Sequence, residues 1–149
     1  MSRARSVDAQ SPADRESMIP RRVMIVDDDP SALGALHRLV TEWGHVSFSF
    51  DSFEAARGVL TSGHAPDVLV VDVRLGMFNG LQLVHLAKQL NPQTIVVVMS
   101  GFDDAVLRAE AAGAGASYLV KPIETAVLRR MLSEPVVSVS SLPSTSSSI

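Results

Sequence analysis

Between Arg22 and Ser133 the chain alternates short unbroken apolar runs with stretches whose apolar residues recur every three or four positions. Val23-Met24-Ile25-Val26 is the first run, and Val68-Leu69-Val70-Val71, Ile95 to Met99 and Tyr118-Leu119-Val120 repeat it. Runs this short, apolar at consecutive positions, predict strands covered on both faces. His45 to Phe50 differs, because Val46, Phe48 and Phe50 alternate with polar residues and predict a half-buried strand. Between the strands, Leu33, Leu36, Val40 and Trp43 predict an amphipathic helix that Gly44 stops. Phe53, Ala56, Val59 and Leu60 predict a second, opened by a reciprocal cap between Asp51 and Glu54. Leu83, Leu86, Ala87 and Leu90 predict a third that ends before Pro92; Val106, Leu107 and Ala109 predict a fourth, capped by Asp103. A last, short helix is expected over Glu124 to Ser133.

Five strands alternating with five helices in roughly 110 residues imply parallel pairing through right-handed crossovers, with helices on both faces. The expected fold is a three-layer α/β sandwich around a doubly wound parallel sheet. Residues 1–21 mix Ser, Arg, Asp, Ala and Pro without periodicity and are expected to form a flexible N-terminal arm. Residues 22–133 make the folded domain. The stretch 134–149 turns to Ser, Pro and Val and is expected to be a disordered tail.

Composition narrows the function without naming it. A net charge of −3 argues against a nucleic-acid-binding surface, which needs a basic stripe. The absence of cysteine removes disulfides and thiolate chemistry. No apolar run approaches the ~18 residues of a membrane helix, and no signal-peptide core opens the chain, so a cytoplasmic protein without membrane contact is expected.

Chemistry gathers where the strands end. Asp27, Asp28 and Asp29 follow the first predicted strand, Asp72 the third, Ser100 the fourth and Lys121 the fifth. Asp29 before Pro30 suits a helix cap. Asp27 and Asp28 need another reason, since like charges at ~4 to 5 Å repel by about 3 to 4 kcal/mol at an effective dielectric near 20. Open parallel sheets bind ligands beyond the carboxyl ends of their strands, where strand order reverses. Three carboxylates converging there suit Mg²⁺ better than zinc, which prefers His and Cys.

In order and spacing these residues resemble the receiver domain of two-component response regulators. The landmarks are Val26-Asp27-Asp28-Asp29-Pro30, Asp72 with Gly80 eight residues on, Met99-Ser100-Gly101, and Tyr118-Leu119-Val120-Lys121-Pro122. The resemblance implies a flavodoxin-like sheet of order 2-1-3-4-5, the arrangement for which a receiver protein is a standing example. It implies that Asp72 accepts a phosphoryl group from a histidine kinase or phosphotransfer protein. It further implies Mg²⁺ held by Asp28, Asp72 and the Arg74 backbone carbonyl, with Asp27 acting through water. Lys121 would pair with a phosphoryl oxygen and Ser100 would donate its hydroxyl to another. Tyr118 would then turn inward, remodelling the surface of the fourth helix, fifth strand and fifth helix for a downstream protein or a weak homodimer. Lys121-Pro122 is a candidate cis bond.

Departures from the family pattern carry their own expectations. Gly76 stands where proline is usual and should loosen the loop after Asp72; Asn79 replaces the common acidic residue. Arg74 and Phe102, each two residues past a site residue, offer no carboxylate or amide to orient hydrolytic water, so slow autodephosphorylation is expected. The chain should catalyse only its own phosphorylation and dephosphorylation. A phosphorylation-independent interaction module stays open as an alternative. An aspartate-nucleophile phosphohydrolase fits less well, because Arg74 stands where its second Asp would be. A dinucleotide-binding enzyme would need a glycine-rich turn where Asp28-Asp29-Pro30 stands. The four histidines lack metal spacing, and Met77-Phe78 is an apolar contact or a packing element.

Overall fold

The four apolar runs and the alternating stretch become five strands in the computed structural model, which describes residues 19–134. The strands are β1 Arg22–Val26, β2 Val46–Phe50, β3 Val68–Asp72, β4 Ile95–Ser100 and β5 Ser117–Val120; the helices are α1 Pro30–Glu42, α2 Phe53–Leu60, α3 Leu81–Leu90, α4 Ala105–Gly113 and α5 Thr125–Ser133. All pairings of the five-stranded sheet are parallel, in the order β2-β1-β3-β4-β5. Apart from residues 19–21 and 134, the expected arm and serine-rich tail lie outside the described residues.

Consecutive apolar residues on a strand point to opposite faces, and each face finds its own helices. Val23, Ile25, Val68, Val70, Val97 and Met99 pack with Leu36 and Val40 of α1 and Leu128 and Leu132 of α5. Met24, Val26, Leu69, Val71, Val96 and Val98 face the other way, onto α2, α3 and α4. Each fully buried aliphatic side chain contributes about 1.5 to 3 kcal/mol of transfer free energy, so these unbroken runs are the main source of cohesion.

Several local expectations change. Ser52, not Asp51, caps α2, its Oγ accepting the Ala55 N–H at 3.2 Å. Helix α4 starts one residue later than expected, so Asp104 caps it through Val106 and Leu107 while Asp103 pairs with Arg108 at 2.8 Å. That start puts Leu107 and Ala111 inward and leaves Val106 73% exposed and Ala109 exposed. Val46 and Leu90 are exposed too, the first on the edge strand and the second in the last turn of its helix. Arg21, assigned to the arm, is anchored: its N–H donates to His45 Nδ1 at 3.1 Å, and its guanidinium donates to the carbonyls of Leu132, at 2.9 Å, and Glu134.

Candidate functional site

Strands β1 and β3 are neighbours in register, with Val26 beside Val71, so the next residue of each, Asp27 and Asp72, come side by side. Strand β3 also pairs Asp72 with Met99, which sets Ser100 one step further on β4. Lys121 follows β5 directly, and its N–H donates to the Ser100 carbonyl at 2.8 Å. The sheet order alone thus delivers four polar residues to one edge.

Their side chains meet through the lysine. Lys121 Nζ lies 2.6 Å from Asp72 Oδ2 and 3.1 Å from Asp27 Oδ2. Asp27 is completely buried and Asp72 nearly so. Burial pushes the Asp27 carboxyl above 3.8, against the opposing pull of the Asp29 N–H and of Lys121. Burial would lower the Lys121 ammonium, but its bonds to Asp72 and Asp27 outweigh that and hold it above 10.5. Each carboxylate spends its other oxygen on a local N–H: Asp27 Oδ1 accepts from Asp29 at 2.9 Å and Asp72 Oδ1 from Arg74 at 3.0 Å. Asp28 is exposed, and its Oδ2 accepts the Gly76 N–H at 2.9 Å.

The loop after Asp72 is a small antiparallel hairpin in which Arg74 pairs with Asn79 and Leu75 with Phe78. Its two-residue turn has Gly76 at φ +61°, the left-handed conformation that such turns require. Proline, with φ near −65°, could neither adopt that conformation nor donate an N–H to Asp28. The glycine is therefore a structural requirement of the hairpin rather than only a loosening. Gly80 is required for a different reason: a Cβ there would sit 2.0 Å from the Asp72 carbonyl oxygen. Asn79 also has a role, its Oδ1 accepting the Leu81 N–H at 2.8 Å at the start of α3.

Ser100 and Tyr118 meet at one residue. Ser100 Oγ accepts the Phe102 N–H at 3.1 Å, and the Tyr118 hydroxyl donates to the Phe102 carbonyl at 2.8 Å. The Tyr118 ring is already buried under the Arg108 guanidinium, 4.8 Å from its centroid. An inward turn thus has little distance to cover in this state. The Lys121-Pro122 bond is cis.

Two features of the mouth escaped the sequence reading. Arg74 lays its guanidinium over the Phe102 ring at 5.1 Å, joining the hairpin to the loop after β4. Phe53 and Phe78 stack at 4.6 Å, joining the same hairpin to α2. Aromatic residues at both places were the available signal, but only the sheet brings these segments together.

Among the described residues no three His, Asp or Glu side chains are gathered as a metal cage. The reason is visible: the Lys121 ammonium lies between Asp27 and Asp72, and Asp28 is turned to Gly76. The donor set is nevertheless all oxygen and anionic, which fits a hard divalent cation once the lysine shifts its partner.

A parallel sheet of this order, with paired carboxylates and a lysine at its carboxyl edge, defines the response regulator receiver fold. The family model of the response regulator receiver domain matches residues 23–133, and the chain belongs to that family. The chain is 31% identical over 104 residues to the transcriptional regulatory protein ZraR of Salmonella typhimurium, covering 68% of this chain and 23% of that protein. It is 36% identical over 101 residues to the DNA-binding transcriptional regulator NtrC of Klebsiella pneumoniae, covering 67% and 21%. The chain thus spans less than a quarter of the length of these two relatives. Among solved structures, the non-phosphorylated HemR receiver domain from Leptospira biflexa shares the fold with a TM-score of 0.71 at 20% identity, covering 80% of this chain and 99% of that one. No helix among the described residues is long and apolar enough to cross a membrane.

Proposed function

We propose that Asp72 is the phosphoacceptor of a phosphorylation-dependent switch. The observation that carries this reading is the Lys121 ammonium held between the Asp72 and Asp27 carboxylates at the carboxyl edge of the sheet. A carboxylate oxygen of Asp72 attacks the phosphorus of a phosphohistidine on a sensor kinase or phosphotransfer protein. The O–P bond forms, the N–P bond breaks and the imidazole leaves. Lys121, released from Asp72, pairs with a phosphoryl oxygen as a point charge. Ser100 Oγ now accepts from Phe102, so its own proton is free for another phosphoryl oxygen.

Asp27, Asp28, Asp72 and the Arg74 carbonyl would hold Mg²⁺, which supplies charge neutralisation for the transferring group. Ser100 moving toward the phosphoryl group pulls on Phe102, the residue whose carbonyl holds Tyr118, and so couples the site to α4, β5 and α5. That surface would meet a downstream protein or a second copy, in the cytoplasm. Arg74 engages the Phe102 ring, and neither residue offers a carboxylate or amide to orient a hydrolytic water, which supports a long-lived acyl phosphate.

Incubation with Mg²⁺ and acetyl phosphate, read by intact mass, tests this. One phosphoryl adduct is expected in the wild type and none in Asp72→Asn. Followed in time, the adduct should persist for minutes; decay within seconds removes the proposed role of Arg74 and Phe102. No adduct from any donor would leave the interaction module instead.

A further inference from the structure

We propose that the groove between α1 and α5 is the docking site of the chain's own N-terminal arm, through Asp14, Glu16 and Met18. The groove measures about 410 Å³ and is lined by Trp43, Thr125, Ala126, Arg129, Arg130 and Ser133. Among the described residues its lining holds two arginines and no acid. Arg129 lies over the Trp43 ring at 5.8 Å and is exposed, so its guanidinium is accessible to a carboxylate. The groove lies apart from Asp72 and Lys121, and the inference does not depend on the phosphoryl chemistry.

Connectivity and charge select the occupant. Arg21 is fixed to the carbonyls of Leu132 and Glu134, on either side of Ser133, so the arm joins the domain at the rim of the groove. From Ile19 to Asp14 an extended chain reaches about 16 Å at ~3.3 Å per residue. From Ser133 back to Arg129 the helix rises only about 6 Å. Asp14 and Glu16 are therefore within reach. An extended segment presents alternate side chains to one side, so Asp14, Glu16 and Met18 would face the groove together while Arg15 faces away. The two carboxylates suit Arg129 and Arg130, and the Met18 thioether suits the Trp43 ring. The other terminal segment, 135–149, contains no acidic residue and lacks this complementarity.

Trp43 is the chain's one tryptophan and reports directly on the groove. The test is acrylamide quenching of its fluorescence in the full chain and in the full chain carrying Asp14→Lys with Glu16→Lys. Losing two exposed ion pairs should shift the docked-to-open ratio by roughly three- to tenfold, raising the quenching constant. Adding Arg130→Glu to the reversed arm should restore part of the protection, and salt near 1 M should raise quenching in the wild type but not in the reversed arm alone. Equal quenching in wild type and reversed arm overturns the proposal. So does protection that grows with protein concentration, which would place a second copy in the groove.

Discussion

Where β1, β3 and β4 begin, buried and half-buried polar groups are matched with their own partners; where these strands finish, two carboxylates compete for one ammonium. At the starting end, the Arg22 N–H meets Asp67 Oδ2 at 2.8 Å, its guanidinium meets the Ala65 carbonyl at 2.6 Å, and the Thr94 hydroxyl meets the Pro66 carbonyl at 3.2 Å. His45 Nδ1 takes the Arg21 N–H there. At the finishing end, Asp27 and Asp72 share the single ammonium of Lys121, while Asp28 accepts only the Gly76 N–H. Satisfied polar groups secure a fold, whereas an unsatisfied charge balance leaves room for a ligand. The difference separates the end that holds the domain together from the end that reacts.

The comparison breaks most easily at the reactive end, through its backbone. Gly80→Ala drives a Cβ into the Asp72 carbonyl, and a loss of about 3 kcal/mol is expected in urea melts. A change below about 0.5 kcal/mol would mean that the hairpin shifts without cost. At the matched end, Arg21→Ala removes two charged hydrogen bonds from the last turn of α5. It should cost about 1 to 2 kcal/mol while leaving phosphoryl uptake from acetyl phosphate unchanged.

Asp27→Asn should move stability the other way. The folded Asp27 carboxyl titrates above its unfolded value of 3.8, so its contribution is complete below 3.8 and is lost as pH rises through the raised value. The amide keeps the acceptor for Asp29 and carries no charge, so the variant should gain on the order of 1 kcal/mol near neutral pH. That gain should shrink as the pH approaches 3.8, and a variant less stable than wild type at neutral pH would contradict the competition for Lys121.

The smallest effect sharpens the contrast. Burial, with Arg21 and Arg129 nearby, pushes the His45 imidazole below 6.5, so its contribution is present above 6.5 and is lost as pH falls through the lowered value. His45→Gln should flatten that part of the stability profile by less than about 1 kcal/mol. The two ends therefore respond to pH with opposite sign.

Much of this was legible in the chain. Unbroken apolar runs cannot alternate inside and outside, so they require cover on both faces, and that requirement leads to a parallel sheet between helices. The positions of Asp27, Asp72, Ser100 and Lys121 at strand ends followed from the same runs. Cap identity was less legible, because Asp51-Ser52 and Asp103-Asp104 each offer two competent caps and a shift of one residue in the helix start decides between them. Gly76 and Gly80 could be noted, but only backbone geometry separates the glycine needed for its positive φ from the one needed for its missing Cβ.

By itself the sequence determined the elements, their order and the chemical kind of the site, since hydrophobic period and strand-end polarity are local properties. Only the tertiary structure decided which carboxylates share Lys121, that Asp28 turns to Gly76 instead, and that Arg74 reaches Phe102. These contacts join residues far apart in the chain. Their partners are chosen by strand order and loop path, which no local pattern encodes.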